Sequence, residues 1–260
     1  MSSLGPVVVI SGGATGIGRT MAQRFLAAGY RVHIGDADPA AVAQFSADHP
    51  DASASCTDVS RPVQVDAMFD EVARRYGRLD VLINNAGISG PNAPVEEIST
   101  EDWERTIAVD LNGQFFCARR AVPMLRAAGG GSIISIASNA ALFGVPMRSP
   151  YAASKWAIIG FTKTLAMELG PDGIRVNAIC PGCVKGPRID GVIERDALKR
   201  GRTPQEIRDV YLKQASMRLF VSADDVANMA LFLASEQGAV ISGQSIAVDG
   251  HTESLSINFD

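Results

Sequence analysis

Four cysteines in 260 residues are too few for a disulfide framework, and three histidines form no cluster with metal-ligand spacing. We therefore expect no metal site. No apolar run approaches the ~20 residues that a membrane-spanning helix needs, so no membrane partner is expected. Basic residues are in slight deficit, with 24 Lys and Arg against 28 Asp and Glu and a net charge of -4. Such a chain offers no positive field to draw in nucleic acid. The opening residues MSSLGPVVVI carry neither a basic leader nor a cleavage signature, which points to a cytoplasmic location. What is left is 47% hydrophobic and 20% charged, the balance of a globular protein with a substantial core.

Cys180 and Cys183 do form a C-x-x-C in CPGC. A redox pair of this kind opens a helix, whereas here a β-rich run, IRVNAI, leads into Pro-Gly. No second Cys or His pair stands nearby to complete four metal ligands. The two cysteines are read as incidental.

Short β-rich apolar runs alternate with longer helical patterns. The predicted strands are VVVIS (7–11), RVHIGD (31–36), ASASCTD (52–58), LDVLINNAG (79–87), GSIISIAS (131–138), IRVNAIC (174–180) and QSIAVDG (244–250). Continuous apolar character implies burial on both faces, and the alternation implies βαβ crossovers and a parallel sheet. The residues at 100–129 read as one long helical stretch. No linker or repeat divides the chain. The expectation is an α/β fold, a doubly wound parallel sheet in three α/β/α layers, as one domain over 1–260. Residues 185–217 break the rhythm. They are highly charged and read either as a substrate-binding lid within that domain or as a solvated insertion. Within them TPQEIRDVYLKQA is predicted helical, with Thr203 as cap and Pro204 in the first turn.

The stretch VVVISGGATGIGRT reads as strand, Gly-rich turn and helix start. Gly12, Thr15, Gly16, Ile17 and Gly18 would bring backbone N–H groups and a helix N-terminus against a pyrophosphate; an ordinary strand-to-helix turn is the other reading. Asp36 ends the next strand, 18 residues after Gly18. A carboxylate there can accept from ribose hydroxyls and repel a 2′-phosphate. It can equally be a loop acid or helix cap. No Lys or Arg precedes Gly18 in the turn, so NAD is favoured over NADP, although Arg19 follows directly.

These pieces occur in order with NNAG (84–87), VDLNG (109–113), SIAS (135–138), YAASK (151–155) and PG (181–182). Together they resemble the short-chain dehydrogenase/reductase family, in its single-domain branch with an Asn-Ser-Tyr-Lys catalytic set, over nearly the whole chain. The resemblance implies a Rossmann fold, NAD as cofactor and a homotetramer built through the long helices and the C-terminal strand. It implies Tyr151 as general acid/base. A free phenol has a pKa of about 10, so Lys155, one helical turn on, would favour the phenolate and hold the nicotinamide ribose. Ser138 would hold the substrate oxygen, and Asn112 would position a water leading from Lys155 to solvent.

The same resemblance assigns Asp58 and Val59 to the adenine. Asn84, Asn85, Ala86 and Gly87 match the segment beneath the adenosine ribose, and Pro181, Gly182 and Val184 the nicotinamide end. Many relatives carry a Thr two residues past that Val; this chain has Gly186, so no side-chain contact is expected there.

The substrate wall should come from 139–150, with Leu142, Phe143 and Met147 apolar. Arg148, Lys185 and Arg188 are either an anion-binding trio or surface charges. His251 is read as structural or interfacial. The function expected is oxidation of a secondary alcohol, ring or sugar hydroxyl with NAD. The alternatives are a 3-oxoacyl-thioester reductase and a non-catalytic NAD-binding sensor or scaffold.

Overall fold

The computed structural model describes residues 5–254. Seven strands form one parallel sheet: β1 (Val7–Ser11), β2 (Arg31–Asp36), β3 (Ser53–Cys56), β4 (Val81–Asn84), β5 (Gly131–Ile136), β6 (Ile174–Pro181) and β7 (Ser245–Val248). Their spatial order is β3-β2-β1-β4-β5-β6-β7. The order reverses between β1 and β4, whose register sets Ser11 beside Asn84. That reversal opens a crevice at the carboxyl ends of the strands, where ligands bind in such sheets.

The strands are rich in Val and Ile, which pack well on a pleated surface. Successive side chains serve opposite faces. Val8 and Ile10 join Met21 and Phe25 of α1 (Gly16–Ala27) and Leu233 of α9 (Ala223–Ala234) in one core. Val7 and Val9 join Phe69 of α3 (Pro62–Tyr76) and Leu125 of α5 (Gly113–Ala128) in the other. The doubly wound architecture is as expected.

Two segments differ from the sequence reading. The stretch at 100–129 is not one regular helix. It runs as α4 (Thr100–Ile107), a π-helical turn at Ala108–Asn112, and then α5. At the junction a Cβ on Gly113 would sit 2.6 Å from Val59 Cγ2, so the helix passes hard against the loop after β3. The charged excursion holds two helices, α7 (Pro187–Arg200) and α8 (Pro204–Lys213). Only α8 was legible, through Thr203 as its cap and Pro204 in its first turn; in the structure Thr203 also forms a capping box with Glu206. The charges of α7 hide a narrow buried face, in which Ile193 and Ala197 pack with Ile207 and Phe220.

Candidate active site

A cavity of about 1010 Å³ runs along the carboxyl ends of β1, β4, β5 and β6 and under α7. Gly12, Thr15, Gly16, Ile17 and Gly18 line one end. Gly12 has φ +63°, and a Cβ there would lie 2.8 Å from Ala86 Cα. A Cβ on Gly18 would strike the Gly12 carbonyl. Gly16, at φ +52°, faces open space. The turn is braced from beneath: Asn85 Nδ2 donates to the carbonyls of Ser11 (3.1 Å) and Gly12 (2.8 Å). The result is a rigid glycine cradle at the N-terminus of α1, open on one side, as a pyrophosphate requires.

Asp36 also lines the cavity. Its Oδ2 accepts from Ala14 N at 3.0 Å and its Oδ1 from Asp38 N at 3.2 Å. Arg19 turns away and pairs with Asp48 at 2.5 Å. Asp58 and Val59 lie on the wall, with Arg105 beside them. Burial opposes ionisation of Asp58. Bonds from the Ser60 side chain and backbone, and the Arg105 guanidinium, outweigh it and hold the carboxyl below its ordinary range. Asp58 Oδ2 accepts from Arg105 at 3.2 Å, a partner the sequence reading missed because 47 residues separate the two.

Asn85, Ala86 and Gly87 line the cavity, but Asn84 does not; its amide is buried in β4. Pro181, Gly182 and Val184 follow β6 along the far wall. Gly182 is pressed against Asp249, whose Cβ would be 2.8 Å from an added Cβ. Gly186 reaches the cavity too and contributes backbone alone.

Ser138, Tyr151 and Lys155 all line the same cavity. Ser138 follows β5, and the other two stand one turn apart on α6 (Ser149–Leu169). Lys155 is 3% exposed. Its ammonium donates to the Ile136 carbonyl at 3.2 Å and lies 5.5 Å from the Tyr151 ring centroid. Ser138 Oγ accepts from Ala140 N at 3.1 Å.

Asn112 does not join them. It is exposed and is not among the cavity-lining residues. The residue beside Lys155 is Asp110, at 3.8 Å. Asp110 is fully buried; its Oδ1 accepts from Ile88 N at 2.7 Å, and its Oδ2 has no hydrogen-bond partner. Two residues along a helix turn by roughly 200°, so Asp110 and Asn112 of VDLNG cannot share a face. The π-helical turn settles which one looks inward.

At the substrate end Met147, Arg148, Lys185 and Arg188 line the cavity, whereas Phe143 and Leu142 do not. Leu142 packs with Ala141 and Ile158, and the Phe143 carbonyl accepts from Trp156 Nε1 at 3.4 Å. The apolar wall comes instead from Val145, Pro146 and Val192. Asn92, Asp196 and Tyr211 were not anticipated. His251 bonds Ser216 Oγ at 2.9 Å, outside the cavity. Burial pushes the Cys180 thiol up to about 11 and that of Cys183 up to about 12, so both stay protonated. Among the described residues no group of three or more His, Cys, Asp or Glu is arranged to hold a metal ion. None of their helices is long and apolar enough to cross a membrane.

A parallel sheet with a glycine cradle at its switch point, and a half-buried Tyr151 beside a buried Lys155 in the same cavity, defines a dinucleotide-dependent oxidoreductase. Comparison with known proteins agrees. A family model described as enoyl-(acyl carrier protein) reductase matches residues 12–251. D-beta-hydroxybutyrate dehydrogenase of Rhizobium meliloti (strain 1021) is 35% identical over 249 residues, 93% of this chain and 96% of that one. Meso-2,3-butanediol dehydrogenase of Serratia marcescens is 37% identical over 246 residues, 94% and 93% of the two chains. The crystal structure of NAD+-bound xylitol dehydrogenase superposes with a TM-score of 0.90 at 26% identity, covering 95% and 99%. The chain belongs to the short-chain dehydrogenase/reductase family. It is an NAD(P)-dependent oxidoreductase that transfers hydride between a small-molecule hydroxyl and its cofactor.

Proposed function

We propose that this enzyme is an NAD-dependent dehydrogenase of small secondary alcohols, with Tyr151 as general acid/base. The observation that carries the reading is the presence of Ser138, Tyr151 and Lys155 in one cavity with the glycine cradle and Asp36. When bound, the nicotinamide dinucleotide supplies the hydride acceptor. Ser138 Oγ holds the substrate oxygen against Tyr151. Tyr151 takes the hydroxyl proton, with the buried Lys155 ammonium 5.5 Å from its ring centroid. The glycine cradle would take the pyrophosphate, Asp36 the adenosine ribose and Lys155 the nicotinamide ribose. Asp58, Val59, Asn85, Ala86 and Gly87 would line the adenosine half, and Pro181, Gly182 and Val184 the nicotinamide half.

NAD, rather than NADP, is supported by the Asp36 carboxylate, by a turn without a cation before Gly18, and by Arg19 being paired elsewhere. Residues 185–217 act as a lid of a single domain, since Lys185, Arg188, Val192 and Tyr211 all face the cavity. A cytoplasmic homotetramer is the proposed working form. Phe115 on α5 and Trp156 and Met167 on α6 expose 47%, 51% and 83% of their surface, as helices paired with other copies would. Residues 255–260 of the tail, expected at that boundary, lie outside the described residues. Light scattering returning a monomer would count against the tetramer.

The decisive assay is NADH formation against secondary alcohols, sugars, polyols and hydroxy acids, with NAD and NADP in parallel. Turnover with NAD on one class is expected. Silence across the panel despite tight NADH binding would overturn the reading in favour of a sensor.

A further inference from the structure

Arg148 is a largely buried charge in the catalytic cavity whose hydrogen-bonding capacity is only partly met. Its Nη2 donates to the Ser89 carbonyl at 2.8 Å, and its Nε is buried with no partner. Among the described residues no carboxylate forms an ion pair with it, although it lies in the same cavity as Asp196. Asp196 is committed elsewhere: Asn92 Nδ2 donates to its Oδ1 at 2.7 Å and the Tyr211 hydroxyl to its Oδ2 at 2.9 Å. Burial, reinforced by Asp196 itself, raises the Tyr211 phenol above its ordinary range, so it remains a donor. On its other side Arg148 borders a cavity of about 290 Å³ whose other charged lining residues, Arg195 and Lys199, are cations. Arg188 lies close enough to add to the same field and holds only a long 3.5 Å contact to the Gly87 carbonyl. A guanidinium taken out of water without an anion is costly, and desolvation lowers the Arg148 pKa accordingly.

The position of this charge is informative. The Arg148 guanidinium carbon lies 5.2 Å from the centroid of the Tyr151 ring. We infer that Arg148, assisted by Arg188, binds the carboxylate of the substrate, which makes the substrate a small hydroxy acid rather than a neutral alcohol. This rests on the dehydrogenase reading above. The planar fork of Arg suits a carboxylate. The buried Asp196 nearby disfavours a dianion, so a phosphate monoester fits less well.

The test separates this inference from the parent reading, because its probes need no turnover. Calorimetric titration of the NADH-loaded protein would compare cyclohexanecarboxylate with cyclohexanecarboxamide, and then with cyclohexyl phosphate. The carboxylate should bind tighter than the amide by on the order of 10- to 100-fold, the range of charge-assisted hydrogen bonds. Arg148→Gln should remove that preference while leaving NADH affinity unchanged. Should Arg148→Gln fail to fold, Arg188→Gln should still reduce the preference several-fold. Equal binding of acid and amide, no binding of either, tighter binding of the phosphate, or a preference that survives both substitutions would overturn the inference. A purely structural brace to Ser89 would weaken both probes alike. If neutral alcohols yield NADH while the acid shows no advantage, the anion site fails and the dehydrogenase reading stands. If no alcohol yields NADH, the parent reading fails and the binding preference is still measured.

Discussion

Asp110 Oδ2 lies 3.8 Å from Lys155 Nζ, with the acid fully buried and the lysine 3% exposed. An ammonium in such a place needs a countercharge, and Asp110 is the acid that the fold supplies. Removing one partner of a buried pair leaves the other charge uncompensated, which costs about 3–5 kcal/mol. Asp110→Ala should therefore lose stability of that order in urea denaturation and lose turnover with it. Asp110→Asn keeps an acceptor for Ile88 N but removes the same countercharge, so it should lose most of that stability too. An Asp110→Ala variant as stable as the parent would show that the pair contributes nothing.

Tyr151→Phe tests the proton-transfer step. The ring stays, so the packing beneath Arg148 and beside Lys155 is retained. Only the hydroxyl is lost. NADH affinity, read by fluorescence titration, should hold within about twofold, while kcat falls by about 10²–10⁴, the usual contribution of a positioned acid/base. Near-normal turnover would remove Tyr151 from the mechanism.

The sheet was legible because its strands are continuous apolar runs. VVVIS and RVHIGD begin and end where β1 and β2 do. Tyr151 and Lys155 were legible because helical spacing alone puts them on one face. Asp110 was not, since choosing it over Asn112 requires the phase of a π-helical turn that local sequence does not encode. Phe143 was placed in the pocket by proximity along the chain, yet its loop turns it out and brings Val145 and Pro146 in. The Asn92–Asp196–Tyr211 cluster includes a bond between residues 104 apart in the chain, and only the packing of α7 and α8 over the cavity assembles it. Long-range polar contacts of this kind leave no periodic trace.

Asp36→Ala should change cofactor choice. The variant removes the proposed ribose acceptor and the negative charge that repels a 2′-phosphate. The ratio of kcat/KM for NAD over NADP should fall on the order of 10- to 100-fold, the worth of one or two charge-assisted bonds. Some stability is lost too, because Ala14 N gives up its 3.0 Å bond to Oδ2. An unchanged ratio would return Asp36 to the role of a loop acid.

His33 makes stability depend on pH. It is fully buried on β2 between Ser53 Oγ, 2.7 Å from Nδ1, and Ser55 Oγ, 3.1 Å from Nε2. Burial, with the Arg75 charge second, lowers its pKa from 6.5 to about 4. Between those values the unfolded chain binds a proton that the folded chain refuses, so unfolding becomes easier as pH falls. The stabilisation is fully present above pH 6.5 and is lost on the way down to pH 4. Its loss amounts to about 2 kcal/mol at pH 5 and about 3 kcal/mol at pH 4. Urea midpoints of the parent and of His33→Gln should therefore converge as the buffer is taken from pH 7 to pH 4, even if the variant starts lower at neutral pH. Carboxylates titrate alike in both proteins and cancel in the difference. A difference that stays constant across that range would mean that His33 takes up its proton in the folded state as readily as in the unfolded one.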